Sequence, residues 1–216
     1  MFIGHYGVAL AAKRVAPGTS LGTLVLGTQL IDLLWPLFLL LGLEHVRIDP
    51  GNTVVMPLDF YDYPITHSML GCLGWAAVSG IIYRLLGGSA RQAIVLGAVV
   101  FSHWILDAVV HRPDLPILPG GELRIGLGVW NSIPATLAIE FILLIGGAAI
   151  YFRSTRAISR NGTIGPWLLV GILSIIEVGN LFAPPPPSET ALAIMALALW
   201  LFVWWGYRLD RSRPIR

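Results

Sequence analysis

The sequence predicts an all-α polytopic membrane protein: about six transmembrane helices in a single domain, plus a short N-terminal helix folded back as a hairpin. Composition predicts this class, because 56% of the 216 residues are apolar and only 12% are charged, whereas soluble domains carry about 25% charged residues. Length predicts it too, since a bilayer takes roughly 17–25 helical residues to cross. Six apolar stretches reach that length: residues 21–43, 65–86, 91–110, 130–152, 164–183 and 190–207.

The N-terminal segment is apolar, but residues 2–14 are too few to span a bilayer alone, so we expect a short helix there. The following "APGTS" supplies a turn, and Ser20 is the predicted N-cap of the first span. His5 and Asp32 lie equally far from this turn in sequence. An antiparallel hairpin would therefore bring them to nearly the same depth, about 20 Å from the turn at 1.5 Å per residue.

The basic residues predict an orientation. If six spans alternate, eleven of the 14 Lys and Arg residues fall on one side, and the positive-inside rule makes that side cytoplasmic. We expect a bacterial-type inner (cytoplasmic) membrane protein with cytoplasmic basic termini and with loops 44–64 and 111–129 facing outward. Neither loop is predicted to contain a regular element. The basic segment 153–162 is expected to be a solvated loop that faces phospholipid.

Residues 102–114, "SHWILDAVVHRPD", place ionisable side chains near the end of an apolar run. His103, Asp107 and His111 are four residues apart, so on a helix they share one face over about two turns. An aspartate at the centre of a span costs about 2.5–3.5 kcal/mol on insertion scales. Each of these groups therefore needs a partner or a water-filled cavity.

The segment "PITHS" at 64–68 adds His67 at the start of the second span, with Thr66 as the predicted N-cap. The hairpin of the second and third spans should carry His67 toward the 102–114 segment. If its ring binds a metal, the second ring nitrogen needs an orienting acceptor. Asp62 and a backbone carbonyl are both candidates.

Imidazoles and carboxylates together form a typical zinc donor set. A bound cation also offsets the cost of burying carboxylates. The sequence therefore predicts a divalent metal, zinc by this donor set, with five ligands: His5, Asp32, His67, His103 and Asp107.

Several other polar residues allow two interpretations. His111 and Glu140 are candidate catalytic groups or ligands of a second ion, although Glu140 fits a buried hydrogen-bonding residue equally well. The outward-side cations either bind a substrate phosphate or only decorate the outer loops: Arg47, Arg112 and Arg124. The aspartates of the outer loops are expected to be solvated: Asp59, Asp62 and Asp114.

These motifs resemble a known family. The N-terminal Gly-His, the aspartate of the first span, the Thr-His-Ser at 66–68 and the His-x-x-x-Asp at 103–107 are similar to the membrane-bound metal-dependent hydrolases, also described as LexA-binding, inner-membrane-associated hydrolases. That family is grouped with zinc-dependent phospholipase C and zinc nucleases. The resemblance covers residues 1–115 and implies a metal site there, with His111 matching a further histidine of the soluble enzymes. The three spans over residues 130–207 carry no such motif.

The leading functional hypothesis is a membrane-embedded metal-dependent hydrolase that uses a metal-activated water on a phosphoester or phospholipid-like substrate. The alternative is a non-catalytic membrane subunit or assembly protein, with a membrane protein partner, in which a structural metal or the polar cluster holds helices together. Ion or proton conduction ranks third, because the third span offers only Gln92 between Arg91 and Ser102. No nucleic acid partner is expected at a net charge of +2.

Overall fold

A computed structural model describes residues 1–216, which form helices and two small β-hairpins. The helices are α1 (Ile3–Val15), α2 (Leu21–Leu40), α3 (Met69–Leu85), α4 (Ala90–Val110), α5 (Ile133–Ser154), α6 (Arg160–Asn180), α7 (Glu189–Ala196) and α8 (Trp200–Ser212). A single 3-10 turn, Leu197–Leu199, joins the last two helices, so that residues 189–212 form one apolar rod. The all-helical prediction is confirmed.

Five helical segments are long and apolar enough to cross a membrane: α2, α4, α5, α6 and the α7–α8 rod. The third helix is also apolar, but it has only 17 residues. Five apolar helices of this length are consistent with a multi-pass membrane protein.

The loops 44–64 and 111–129, which are predicted to face outward and are called the outer loops here, contain regular structure that the sequence did not predict. Strand β1 (His45–Ile48) pairs antiparallel with β2 (Leu58–Asp62), and the two-residue strands β3 (Leu115–Pro116) and β4 (Arg124–Ile125) form a second hairpin. The prediction of irregular loops was therefore wrong. The missed signal was alternation in "LDFYD", because Leu58 and Phe60 point inward on the same face.

Serine side chains fix the starts of the helices that carry the polar residues. The Ser20 side chain accepts a hydrogen bond from the Thr23 amide, which confirms the predicted cap of α2. The predicted cap of α3 was wrong: the helix begins at Met69 and its cap is Ser68, which accepts from the Gly71 amide. Thr66 is thereby free for another role.

The first helix is a central element and not a peripheral one. Ile3, Tyr6 and Leu10 are almost completely buried in the larger apolar core. Gly7 of α1 and Gly147 of α5 let the two backbones touch, since a Cβ added to Gly147 would collide with the Gly7 carbonyl. This packing places the start of α1 against the outer-loop end of α4.

Candidate metal centre

Five ionisable residues meet where α1, α2, the segment before α3 and α4 come together. We call this group the imidazole–carboxylate cluster, and its members are His5, Asp32, His67, His103 and Asp107. All five predicted metal ligands are therefore in one place. Four of them are at most 4% exposed, whereas the Asp32 side chain is 24% exposed. The cluster thus reaches the molecular surface at Asp32.

Four donor atoms of the cluster face one another, two imidazole nitrogens and two carboxylate oxygens. The His103 Nε2 atom lies 3.5 Å from Asp32 Oδ1 and 3.1 Å from Asp107 Oδ2. The His67 Nε2 atom lies 3.5 Å and 3.9 Å from the same two oxygens. Neighbouring ligands of a tetrahedral zinc ion with bonds of about 2.0–2.1 Å are separated by roughly 3.3–3.4 Å. Asp32, His67 and His103 form one group with the spacing of metal ligands, while Asp107 lies on the other side of His103.

The hydrogen bond on the far side of His103 fixes the protonation of its ring. Its Nδ1 atom is 2.8 Å from the backbone oxygen of Thr28. A carbonyl only accepts hydrogen bonds, so Nδ1 carries a proton, and the neutral form of the ring has its lone pair on Nε2. That Nε2 atom is fully buried and makes no hydrogen bond of good geometry, although Asp107 Oδ2 lies 3.1 Å away. An orphaned acceptor of this kind is what a metal ligand requires.

A different device fixes His67. The Thr66 hydroxyl donates to Glu44 Oε2 at 2.6 Å, and the oxygen of that hydroxyl, Thr66 Oγ1, lies 2.7 Å from His67 Nδ1. Because the hydroxyl proton is given to Glu44, Thr66 Oγ1 accepts the proton of Nδ1, and the His67 Nε2 lone pair faces the cluster. Neither predicted candidate, Asp62 or a backbone carbonyl, is the acceptor.

Glu44 was missed at the level of sequence, although it is 1% exposed. Its carboxylate also accepts from the backbone amides of Ile65 and Thr66, at 2.7 and 2.8 Å. It therefore holds both the hydroxyl that orients His67 and the backbone around it. The only sequence signal was a threonine directly before a histidine.

His5 reaches the cluster from α1. Its ring stacks on the His103 ring, with centroids 3.9 Å apart and planes 4° from parallel. Its Nε2 atom is 3.2 Å from Asp107 Oδ1, and the backbone nitrogen of Met1 is 2.6 Å from the same oxygen. Asp107 therefore turns one oxygen toward His103 and the other toward His5. His5, His103 and Asp107 form a second group with the spacing of metal ligands.

Glu140 and His111, the two candidate catalytic residues, lie outside the four-atom set. Glu140 accepts from the amides of Phe2 and Gly4 at 2.8 and 2.6 Å, and so caps the start of α1. His111 is the C-cap of α4, with an extended backbone, and so leaves the helical face of His103 and Asp107. Burial lowers the pKa of His111, although a hydrogen bond to Asp114 opposes that shift.

The predicted phosphate-binding arginines belong to a second polar group, the loop network, which we define as Arg47, Asp59, Tyr63, His111, Arg112, Asp114 and Arg124. Its arginines contact protein acceptors. Arg112 forms ion pairs with Asp59 at 2.5 Å and with Asp114 at 3.1 Å. Arg47 also pairs with Asp59, at 3.2 Å. Arg124 donates to two backbone carbonyls.

Asp114 is the hub of the loop network. Its Oδ1 atom accepts from His111 Nδ1 at 2.9 Å and from the Tyr63 hydroxyl at 3.3 Å. The prediction that Asp114 is solvated was wrong, because the residue is only 6% exposed. The side chain of Asp59 is 15% exposed, so it too is largely covered, whereas that of Asp62 is 45% exposed. Sequence alone could not reveal that these two hairpins fold over one carboxylate.

Comparisons of this chain with protein-family models, with curated proteins and with solved structures find no match.

Proposed function

We propose that the imidazole–carboxylate cluster binds a divalent cation, zinc by its donor set, and that the protein is a membrane-embedded hydrolase of phosphoester or phospholipid-like substrates. The observation that carries the metal is the convergence of Asp32 Oδ1 with the His67 and His103 Nε2 atoms, all within 4.8 Å of one another, with Asp107 Oδ2 3.1 Å from His103. The ligands would be Asp32 Oδ1, His67 Nε2 and His103 Nε2, and Asp107 would join them through a small movement of its carboxylate.

The charge of the cluster supports a cation. Two carboxylates lie in it, and no lysine or arginine contacts either of them. Buried carboxylates are stabilised by paired cations or by metals. The Met1 ammonium forms an ion pair with the outer oxygen of Asp107, whereas the oxygens that face His67 and His103 pair with imidazoles alone.

The residues around the proposed ion would perform positioning tasks. Thr28 and Thr66 hold the two imidazoles in the ligating tautomer, and His5 holds the outer oxygen of Asp107. Asp32, the one partly exposed ligand, marks the side from which water and substrate would enter. Bound zinc supplies Lewis acidity and a coordinated water of pKa about 7.

The proposed membrane arrangement adds α3 as a sixth span, with α1 folded back as a hairpin on α2. The 17 residues of α3 lie at the lower limit of roughly 17–25 residues for a transmembrane helix. The cluster would then lie toward the outer face of an inner membrane, with the basic ends cytoplasmic. The resemblance to membrane-bound metal-dependent hydrolases and the position of the cluster near the outer loops support a phosphoester at headgroup depth as substrate.

Hydrolysis tests the proposal. Detergent-purified protein supplied with zinc should cleave bis(p-nitrophenyl) phosphate or release phosphate-bearing headgroups from phospholipid micelles. His103→Ala and Asp107→Asn should lower the rate to background, because each removes a ligand. His45→Ala is the matched control, since His45 also pairs with an aspartate, Asp62, at 2.8 Å but lies in the outer loops. Equal rates in all four proteins would contradict the proposal.

A second candidate function rests on the same four atoms. Structural zinc sites are closed by four protein ligands, whereas catalytic sites keep one position for water. A cluster with all four donors bound would hold α2, α4 and the segment before α3 together in an assembly or subunit protein. Stoichiometric zinc without hydrolysis, together with loss of folding in His103→Ala, would favour this candidate.

A further inference from the structure

A groove lies between α6 and α8 at the end of the molecule opposite the imidazole–carboxylate cluster. Its volume is about 760 Å³. Three exposed arginines line it: Arg160, Arg208 and Arg211. Arg160 opens α6, while the other two lie three residues apart on α8 and so share a helical face.

The carboxylate nearest to these arginines in sequence is already engaged. Asp210 lies 2.6 Å from Lys13 Nζ and accepts from the Leu21 amide at 3.0 Å. None of the three groove arginines forms an ion pair or hydrogen bond, and Arg208 only lies over the Trp204 ring, 5.6 Å from its centroid. The groove therefore concentrates uncompensated positive charge.

Arg213, the neighbouring arginine, is used differently. It is 7% exposed, donates to Thr155 Oγ1 at 2.7 Å and to the Gly162 oxygen at 2.9 Å, and so fastens the chain end to the start of α6. The segment before α6 is therefore held in place, where sequence analysis expected only a solvated loop. The groove is consequently a defined part of the fold.

The wall below the arginines is apolar and exposed. Ile164 and Leu168 follow Arg160 at four-residue intervals along α6, and they are 40% and 52% exposed. Trp204, one turn before Arg208 on α8, is 61% exposed. Tryptophan is typical of membrane interfaces. A free phosphate needs only the arginines, whereas a phospholipid uses the arginines for its phosphate and the apolar wall for its acyl chains.

We propose that this groove binds the headgroup of an anionic phospholipid, with its phosphate at Arg160, Arg208 and Arg211 and its acyl chains along the apolar faces of α6 and α8. Basic pockets between transmembrane helices bind such headgroups, and guanidinium groups form paired hydrogen bonds with phosphate. The site is independent of the proposed metal centre. Its role is to anchor the α6–α8 end of the protein in anionic lipid.

Lipid retention tests this proposal. The purified protein is equilibrated in micelles with equimolar dioleoyl phosphatidylglycerol and dioleoyl phosphatidylcholine, captured, washed, and its retained lipids counted by mass spectrometry. The wild type should retain phosphatidylglycerol about tenfold over phosphatidylcholine. The triple variant Arg160→Gln, Arg208→Gln, Arg211→Gln should retain the two lipids about equally.

The matched control carries the same charge change outside the groove. Arg14, Arg91 and Arg153 are exposed and do not line the groove, so their triple glutamine variant should keep the preference of the wild type. Equal loss in both triple variants, or no preference in the wild type, would overturn the proposal. Inorganic phosphate at constant ionic strength should not displace the lipid, and full displacement would also overturn it.

A single substitution tests the same site in case the triple variant misfolds. Arg208→Gln alone removes one exposed side chain and should lower the preference about threefold, with an unchanged thermal midpoint. An unchanged lipid preference in this folded variant would contradict the assigned phosphate position.

Discussion

The two polar groups near the outer loops are built on opposite principles. In the loop network, Arg112 lies between Asp59 and Asp114, and further donors cover the remaining oxygens, so charge is balanced by the chain itself. In the imidazole–carboxylate cluster, two aspartates face imidazole rings and contact no lysine or arginine. The loop network is complete as it stands, whereas the cluster gains most from an added cation.

This difference separates residues that a sequence pattern cannot separate. His111 continues the four-residue spacing of His103 and Asp107, yet it belongs to the loop network. The deciding feature is the direction of the donors. At Asp114 the hydrogen atoms point at the carboxylate, whereas at His103 and His67 the hydrogen atoms point away and leave lone pairs toward the aspartates.

Metal removal should produce the largest effect, and only through the cluster. If metal is present at about 1,000 times its Kd, stripping it costs about 4 kcal/mol of folding free energy. Thermal unfolding in detergent, with and without a chelator, measures this loss. His103→Ala should be insensitive to the chelator. A chelator effect of equal size in His103→Ala would contradict a metal at this position.

Disrupting the packing of α1 on α5 should produce the next largest effect. Gly147→Val forces a side chain into the Gly7 carbonyl, which should destabilise the fold by on the order of 3 kcal/mol and withdraw His5 from Asp107. Gly146→Ala is the control, because nothing lies within 4 Å of a Cβ added at Gly146. The thermal midpoints of the two variants measure the difference. Similar midpoints would contradict close packing of α1 on α5.

Asp114→Asn should damage the loop network without touching the metal. It leaves Arg112 and His111 with a neutral acceptor in a covered site, at a cost of about 2 kcal/mol. Asp62→Asn should cost less than about 1 kcal/mol, since its pair with His45 is nearly half exposed. Denaturation measures both, and metal content should stay at the wild-type value. Loss of metal in Asp114→Asn would show that the loop network contributes to metal binding, and would contradict its separation from the imidazole–carboxylate cluster.

Thr66→Val should have the smallest effect on metal binding, together with a small loss of stability because the buried Glu44 carboxylate loses one donor. Without the hydroxyl, His67 Nδ1 loses its acceptor and the ring loses its fixed tautomer, so metal affinity should fall about 10- to 100-fold. Thr66→Ser keeps the hydroxyl and should restore affinity. Competition with a chromophoric chelator measures both. A valine variant with wild-type affinity would show that Thr66 does not position His67.

Sequence reasoning succeeds here where the physics is local. Ser20 caps α2 as predicted because a cap involves residues three apart in the chain, and helical class follows from composition and length. It fails where a partner is distant. Glu140 is held by amides more than 130 residues away, and no pattern within α5 reveals them.

The candidate site divides in the same way. The five cluster residues were recognisable because ionisable side chains are scarce in apolar segments, so each one stands out. Glu44 lies in a polar loop, where a carboxylate attracts no notice, and its link to His67 passes through Thr66. The capping role expected of Thr66 was wrong because Ser68 occupies that position two residues later.

The most direct test of the central claim is the metal content of protein purified without chelators. Elemental analysis should find about one zinc or other divalent ion per chain in the wild type and in His45→Ala, and less than about a tenth of that in His103→Ala and Asp107→Ala. Both cluster variants must remain folded, as judged by their unfolding transitions. No metal in the wild type, or equal metal in all four proteins, would contradict the account.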